Sequence, residues 1–156
     1  MPYYLDLQSP VGWLRVVEAQ AAIMELHIMK EPMAVPEQWE QRETPLLLEA
    51  KRQLNEYFDG LRASFSLPLA PKGTAFQRAV WAQLEAIPYG ETRTYGQIAA
   101  ALGKPTASRA VGGANHNNPI AIVIPCHRVI GANGKLTGYA GGLDIKEKLL
   151  RLEGAL

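Results

Sequence analysis

The sequence of 156 residues contains a single cysteine, Cys126, so it forms no disulfide within the chain. Its three histidines, His27, His116 and His127, do not stand at the spacing that zinc sites require. The chain has no apolar run of the ~18 residues that a membrane span needs, and its first residues carry no signal-peptide pattern. We therefore expect no metal, no other cofactor and no membrane contact, and a protein that works in the reducing cytoplasm.

A strong charge of either sign is also missing, because the formal net charge is only +1. The charge is nevertheless uneven: residues 1–75 hold seven Lys and Arg against ten Asp and Glu, and residues 76–156 hold nine against five. If the second half binds nucleic acid, few phosphates are neutralised, so we expect a shallow salt dependence and weak affinity for ordinary duplex. The hydrophobic share of 47% suffices for one buried core or two small lobes.

The single cysteine lies between two runs of β-branched residues, within the segment from Ile122 to Ile130. This pattern predicts a buried strand that ends at Pro125 and presents the Cys126 thiol at the edge of a site. Cysteine reacts as the thiolate, and the adjacent His127 is a residue type that activates thiols. The alternative is a small buried hydrophobic residue. Neighbours on a strand point to opposite faces, so adjacency in sequence does not establish contact between sulfur and ring.

The first part of the sequence predicts a small antiparallel sheet with one helix. Alternating apolar residues, interrupted by turn residues, predict three strands at residues 3–7, 13–17 and 23–28. Thr44 is suited to cap a helix of residues 45–58. A proline-rich stretch, residues 65–73, cannot continue a helix and predicts an extended linker. We therefore divide the chain into an N-terminal scaffold domain, 1–70, and a C-terminal functional domain, 71–156.

Helical periodicity follows the linker. Threonine is a favoured N-cap, and it precedes three predicted helices: Thr74 before residues 76–86, Thr94 before 95–102, and Thr106 before 107–115. Gly103 and Pro105 predict a tight turn between the second and third helices. Two short helices across a glycine-containing turn are typical of a helix-turn-helix, and equally of a helical hairpin without DNA contact.

The third predicted helix carries almost no bulky side chain on one face. Ala110, Gly113 and Ala114 are small enough for the backbone to approach a narrow groove closely, and Arg109 is the single long side chain. Each glycine weakens a helix by roughly 1 kcal/mol relative to alanine, so some contact must offset that cost. Close packing against another helix explains the small residues equally well.

Four segments of the second half together resemble the O6-alkylguanine-DNA alkyltransferases. They are the Asn118-Pro119 pair, Pro125 to Val129, Tyr139 to Leu143, and the following helix that ends at Glu153. The resemblance implies an α+β fold, with a small N-terminal antiparallel-sheet lobe of RNase H-like type. The C-terminal domain is then mostly α-helical and contains a winged-type helix-turn-helix.

The activity implied by this resemblance is DNA repair by direct reversal, as in a methylated-DNA–protein-cysteine methyltransferase. An alkyl group moves irreversibly from O6-alkylguanine, and less well from O4-alkylthymine, to Cys126 of the protein itself. The sequence has no second cysteine to restore the thiol, so each molecule should react once and be consumed. Some members of the family bind zinc in the N-terminal lobe, but this lobe has no cysteine, so we expect no metal there.

The resemblance also assigns catalytic groups. Cys126 is the alkyl acceptor, His127 takes the thiol proton through a water, and Glu153 orients the imidazole, as in a hydrolase triad. The Tyr95 hydroxyl addresses N3 of guanine, and Asn118 braces the turn that carries the cysteine. Two alternatives remain: Glu153 as an exposed acid near a frayed terminus, where the helix dipole disfavours it, and Tyr95 as an ordinary half-buried tyrosine.

Three further residues are assigned to the substrate pocket by the resemblance. The backbone carbonyls of Cys126 and Val129 accept the exocyclic amine of guanine, and Tyr139 forms a wall. The backbone N–H of Ala140 donates to O6. Some members have serine at this position, so the alanine puts only a hydroxyl contribution in doubt.

For the partner, the resemblance implies a monomer that binds the minor groove of double-stranded DNA containing O6-alkylguanine. The alkyl group lies inside the duplex, so the base must be flipped out before a thiolate can reach it. Arg109 then takes the place of the extruded nucleotide, as wedge residues of other proteins do. Ala110, Gly113 and Ala114 lie against the groove, and Arg128 makes either phosphate contacts or structural ion pairs.

Two other functions stay open at this point. A binding module of the same fold marks alkylguanine without removing the alkyl group, although such proteins lack the cysteine of this motif. A Cys-His-Glu hydrolase would turn over repeatedly on a small acyl or amide substrate without DNA, and would leave the helix with Arg109 unexplained. His27 and His116 are expected to be structural or solvent-facing.

Overall fold

The structure is a computed structural model that describes residues 1–139 and 141–156. The chain divides into two compact units. The first consists of Met1–Pro71 with Pro119–Ala121, and the second of Lys72–Asn118 with Ile122–Leu156. Among the described residues, no helix is both long and apolar enough to cross a bilayer.

The first unit contains a four-stranded sheet. Its strands are β1 (Tyr3–Ser9), β2 (Gly12–Ala19), β3 (Ala22–Met29) and β4 (Glu40–Gln41). The first three form the antiparallel arrangement that the sequence predicts, and β4 pairs with β1 in parallel, giving the order β3-β2-β1-β4. Gly12 is required at the first turn, because its φ is +113° and a Cβ there would lie 2.8 Å from the Met29 carbonyl oxygen.

One helix, α1 (Pro45–Phe58), contacts β1 and β2 of this sheet. Thr44 caps it as predicted, since its Oγ1 accepts a hydrogen bond from the Leu47 N–H at 3.0 Å. The apolar residues at helical spacing are fully buried: Leu47, Ala50, Leu54 and Tyr57. The helix and the sheet therefore bury their apolar faces together within this unit.

A short segment from much later in the sequence completes the first unit. The Leu26 N–H donates to the Pro119 carbonyl at 2.8 Å, and the Ala121 N–H donates to the Leu26 carbonyl at 3.1 Å. Ile120, between them, is fully buried. This contribution is not predictable from the sequence, because three residues are too few to show a hydrophobic period.

The second unit is mostly helical. Its helices are α2 (Ala75–Glu85), α3 (Tyr95–Ala101), α4 (Ser108–His116) and α5 (Leu143–Leu152). A single turn of 3-10 helix, Cys126–Arg128, precedes β6 (Val129–Ile130), which pairs in parallel with β5 (Arg93–Thr94). Helix α4 packs on α2 and α3, and the 3-10 helix packs on α2 and α5. The predicted α+β fold, a sheet lobe followed by a mostly helical part, is confirmed.

Threonine side chains cap α2 and α3 as predicted. Thr74 and Thr94 each accept a hydrogen bond of 3.1 Å from the backbone N–H three residues later. The side chains of Gln77 and Gln97 bond back to the threonine N–H groups, so both helices begin with a complete capping box. These caps fix where α2 and α3 begin.

The predicted cap of the third helix is wrong. Helix α4 begins at Ser108, and its N-cap, Ala107, makes no side-chain hydrogen bond. The reason is that the Ala107 N–H donates to the Lys104 carbonyl at 2.9 Å, so these residues form a turn. Thr106 lies within that turn and cannot cap the helix.

Candidate active site

Cys126 begins the 3-10 helix and does not end a strand. The predicted strand before Pro125 is wrong, because residues 121–124 form turns and Ile122 has a φ of +71°. A β-branched residue adopts this left-handed conformation only where the surroundings enforce it. The Cys126 N–H donates to the Ile124 carbonyl at 2.8 Å. A tight turn therefore delivers the thiol, which is buried.

Asn118 holds this turn, as the sequence predicts. Its Nδ2 donates to the Ile124 carbonyl at 2.7 Å. Burial raises the pKa of the Cys126 thiol above its ordinary value of 9.0, although a hydrogen bond from Asn118 and the charge of Lys146 act against that rise. The thiol is therefore neutral at rest and needs a base before it can react as a thiolate.

His127 and Glu153 form a buried pair beside the cysteine. The distance from His127 Nε2 to Glu153 Oε2 is 2.7 Å, and both side chains are fully buried. Burial lowers the pKa of His127 below its ordinary value, with the Glu153 charge opposing this and the charges of Arg128 and Lys146 adding to it. A neutral imidazole that donates from Nε2 to a carboxylate carries its lone pair on Nδ1. That Nδ1 is buried and has no hydrogen-bond partner among the described residues.

Arg128 does not face solvent, so its prediction as a DNA-contacting residue is wrong. The side chain is buried, with Nε 2.8 Å from Glu153 Oε1 and Nη1 2.7 Å from the Ile87 carbonyl oxygen. The other predicted possibility, a structural ion pair, is what the structure has. Glu153 is likewise buried and is not an exposed acid at a frayed terminus.

Lys146 belongs to the site and was missed by the sequence analysis. Its Nζ donates to the Val129 carbonyl at 2.5 Å and to the Thr137 carbonyl at 2.7 Å, and burial lowers its pKa to about 8. A sequence signal for it exists on α5. The buried positions Lys146, Leu149, Leu150 and Glu153 follow the i, i+3, i+4, i+7 spacing of an apolar stripe. Two charged residues on such a stripe indicate a buried polar site.

Asn115 was missed as well. It is buried on α4, and its Nδ2 lies 3.4 Å from the Cys126 carbonyl oxygen, at the long end of hydrogen-bond distance. Its position follows that of Val111 on the buried face of the helix. A polar residue on that face was the available signal.

The described pocket residues Tyr95, Val129 and Tyr139 all belong to the second unit. The Tyr95 hydroxyl is 3.3 Å from the Thr137 carbonyl, which also accepts from Lys146. Burial, together with the neighbouring Cys126, raises the pKa of Tyr139 well above its ordinary value. Val129 is fully buried. Ala140, the remaining predicted pocket residue, lies outside the described residues.

The small-residue helix α4 has two different faces. Arg109, Ala110 and Gly113 are exposed, and a Cβ added at Gly113 would meet open space. Ala114 is buried, and its carbonyl accepts a hydrogen bond of 2.8 Å from Trp81 Nε1. Its predicted position against a groove is therefore wrong, because Trp81 packs over this end of the helix and covers Ala114.

Across residues 1–139 and 141–156, no three His, Cys, Asp or Glu residues are grouped so as to hold a metal ion. The segment of Cys126 and His127 provides the components of nucleophilic catalysis: a buried thiol, a neutral imidazole in the next residue and a carboxylate that orients the imidazole. The geometry alone supports several nucleophilic reactions.

Two models of one protein family match nearly the whole chain. The ribonuclease-like domain of 6-O-methylguanine DNA methyltransferase matches residues 3–71, and the DNA binding domain of the same family matches residues 75–155. The chain belongs to the 6-O-methylguanine DNA methyltransferase family. The family predicted from the motifs around Cys126 is thus confirmed.

Relatives within the 6-O-methylguanine DNA methyltransferase family are similar over their full lengths. The methylated-DNA–protein-cysteine methyltransferase of Methanosarcina acetivorans is 55% identical over 98% of this chain and 99% of its own. The constitutive enzyme of that name from Bacillus subtilis is 51% identical over 98% and 96%. A crystal structure of Mycobacterium tuberculosis OGT in complex with DNA has a TM-score of 0.90 and 45% identity, covering 98% and 93% of the two chains.

Proposed function

We propose that this chain repairs DNA by direct reversal, moving an alkyl group from O6 of guanine to its own Cys126. The observation that carries the proposal is the buried thiol beside His127, whose Nε2 lies 2.7 Å from the Glu153 carboxylate. The relatives named methylated-DNA–protein-cysteine methyltransferases support the same activity. A cysteine acceptor within the protein makes the reaction stoichiometric.

The chemical step is a single displacement at the alkyl carbon. The Cys126 Sγ–carbon bond forms as the carbon–O6 bond breaks, and the bonding electron pair stays with O6. His127 takes the thiol proton through a water, and an equivalent proton passes through water to the guanine that leaves, so that guanine departs neutral and His127 returns to a neutral imidazole. The product is a thioether, which has no S–H proton and cannot form a thiolate. Each molecule therefore reacts once.

The resting state of the site suits a reaction that occurs only once. A thiol kept neutral by burial is protected from adventitious oxidation, since the thiolate is the reactive form. The Nδ1 of His127, which has no hydrogen-bond partner in the described part of the chain, is the atom that can accept the proton when substrate is present. Glu153 then stabilises the imidazolium that forms.

The guanine pocket is proposed on the residues that the family resemblance assigns to it. Tyr95 would donate to N3 as the leaving group develops charge, and Tyr139 would form a wall. The Val129 carbonyl, held by Lys146 Nζ at 2.5 Å, keeps a second lone pair for the exocyclic amine. Ala140 would contribute its backbone N–H to O6. The same pocket would accept O4-alkylthymine less well.

DNA is proposed to bind at the exposed face of α4. The family model that covers residues 75–155 is a DNA binding domain, and the Mycobacterium tuberculosis relative was solved in complex with DNA. Ala110 and Gly113 would lie in the minor groove, where small residues allow close approach. Arg109 would occupy the gap left by the flipped nucleotide, whose extrusion costs a few kcal/mol.

The remaining parts of the proposal concern the whole molecule. The unit that contains β1 to β3 would serve as a scaffold, because the chemistry-bearing side chains lie in the other unit. The protein would act as a monomer in the cytoplasm, without a metal or other cofactor.

The test is the intact mass of the protein after mixing with one equivalent of a duplex oligonucleotide that contains O6-methylguanine. We expect a gain of one methylene, mapped to Cys126 and missing from a Cys126→Ala control that still binds the duplex. An unchanged mass with tight lesion-selective binding would replace this proposal with a damage-marking module. An unchanged mass with repeated turnover of a small ester would favour a hydrolase.

A further inference from the structure

Arg128 belongs to the buried charge cluster, although no step of the proposed reaction uses it. Three of its side-chain nitrogens are bonded: Nε to Glu153 Oε1 at 2.8 Å, Nη2 to Glu153 Oε2 at 3.1 Å, and Nη1 to the Ile87 carbonyl at 2.7 Å. Its guanidinium carbon also lies 5.8 Å from the ring centroid of Tyr89. The side chain is therefore fixed from three directions.

The two bonds to Glu153 determine how that carboxylate is oriented. A guanidinium that binds both oxygens of a carboxylate fixes its plane as well as its position. Glu153 is the residue at which α5 ends, and its side chain is fully buried. In the orientation that Arg128 enforces, Oε2 lies 2.7 Å from His127 Nε2. The unshared ring nitrogen is then Nδ1.

The charge of Arg128 also bears on the protonation of His127. The charged groups that act on the imidazole are Lys146 in α5, Glu153 at the end of that helix, and Arg128 from the 3-10 helix. Tyr139, in the loop before α5, faces Cys126. Arg128 and Lys146 disfavour the imidazolium and Glu153 favours it, so the two cations lower the pKa of His127 together with burial.

We propose that Arg128 is a positioning residue of the alkyl-transfer reaction: it holds Glu153 so that His127 keeps its proton on Nε2 and presents Nδ1 as the base. The inference rests on the proposed function for its effect on rate. Its effect on the imidazole itself does not depend on that function. Arg128 is thus assigned to the orientation of Glu153, and no longer to a phosphate contact.

The experiment compares Arg128→Met and Arg128→Lys with the wild type. Two quantities are measured: the pH profile of the single-turnover methyl-transfer rate, and the titration of the His127 ring followed by nitrogen-15 NMR without DNA. His27→Gln and His116→Gln spectra assign the His127 signals. Arg15→Met, which removes a buried guanidinium from the first unit, serves as the matched control for loss of stability.

In Arg128→Met we expect the acidic limb of the rate profile and the NMR titration to move up together, by about one pH unit, because a nearby cation is removed. Arg128→Lys retains a charge but cannot bind both oxygens. We expect its titration to move less, while its rate on the high-pH plateau falls about tenfold, because the carboxylate is no longer fixed. Arg15→Met should leave both measurements unchanged.

Three outcomes are decisive. If both folded variants keep the wild-type pH profile, plateau rate and titration, Arg128 is only structural and the inference is overturned. If Arg128→Met does not fold, the plateau rate of Arg128→Lys decides: a lowered rate supports the inference, and a wild-type rate overturns it. If the wild type transfers no methyl group, the proposed function fails, and a shifted His127 titration in either variant still supports the positioning role.

Discussion

The two units treat buried charge differently. Among the described residues of the first unit, Arg15 is the one buried charged side chain, and it is paired with Asp6 at 2.8 Å. The second unit buries His127, Arg128, Lys146 and Glu153 in one cluster around Cys126. Burying ions costs free energy that their mutual attraction offsets only in part.

The buried charges of the second unit cost folding free energy, and they position the groups that the proposed reaction needs. Its charges hold backbone carbonyls, a carboxylate and an imidazole in fixed positions, which an apolar core of equal volume could not do. In the first unit, ion pairs such as Arg52 with Glu56 lie at the surface, where such pairs contribute little. Substituting equivalent residues in the two units tests this interpretation directly.

The largest expected effect is on the rate of methyl transfer in His127→Gln. Glutamine can still bond to Glu153 but cannot take a proton, so we expect the single-turnover rate at pH 7 to fall by about 10²–10⁴-fold. His27→Gln is the matched control, because His27 is a partly exposed residue of β3. Equal rates for the two variants would show that the buried histidine is structural.

Removing a carboxylate should cost more stability in the second unit than in the first. Glu153→Ala leaves Arg128 and His127 buried without their partner, and we expect the free energy of unfolding to fall by about 3–5 kcal/mol. Asp6→Ala leaves Arg15 with Tyr4 as a neighbouring ring, and we expect a loss of about 2 kcal/mol.

Urea-induced unfolding of both variants checks this second prediction, with separate probes of tryptophan fluorescence and helix content. If the free energy of unfolding falls less in Glu153→Ala than in Asp6→Ala, the carboxylate of Glu153 is not needed to offset the buried charges around Cys126. The contrast between the units would then have to be abandoned.

A third prediction concerns exposed arginines, which the two units also use differently. Arg109→Ala should slow transfer from a duplex by about 10–100-fold, since base extrusion costs a few kcal/mol, and should leave transfer from a single-stranded oligonucleotide unchanged. Arg52→Ala, on α1, should change neither rate. An equal loss on both substrates would assign Arg109 to general DNA affinity.

The chemistry was more predictable from the sequence than the packing that supports it. The resemblance to the alkyltransferases predicted that Glu153 orients His127, and the structure places Glu153 Oε2 at 2.7 Å from His127 Nε2. The threonine caps of α1, α2 and α3 were predictable because capping depends on residues within one turn.

The errors have a common physical origin, which is tertiary contact. Thr106 fits the cap pattern, but a local turn moves the start of α4 to Ser108. Apolar runs near Pro125 favour a strand, but tertiary structure holds Ile122 at a positive φ. Ala114 and Arg128 were assigned to DNA because composition does not reveal which face of an element is packed.

The smallest effect, and the finest test of the comparison, is the acid sensitivity of folding. Burial lowers the pKa of His127 below its unfolded value of 6.5. Below pH 6.5 the unfolded chain binds a proton there that the native protein does not, so stability decreases as the pH falls. One such group contributes a slope of at most about 1.4 kcal/mol per pH unit.

We therefore expect His127→Gln to lose part of the wild-type decrease in unfolding free energy between pH 6.5 and the range where carboxylates titrate. His27→Gln should keep the full decrease, because His27 has a side chain 46% exposed. Urea unfolding at closely spaced pH values measures both slopes. Parallel slopes in the two variants would mean that His127 is protonated in the native protein, which would also remove it as the base, because an imidazolium has no lone pair to accept the thiol proton.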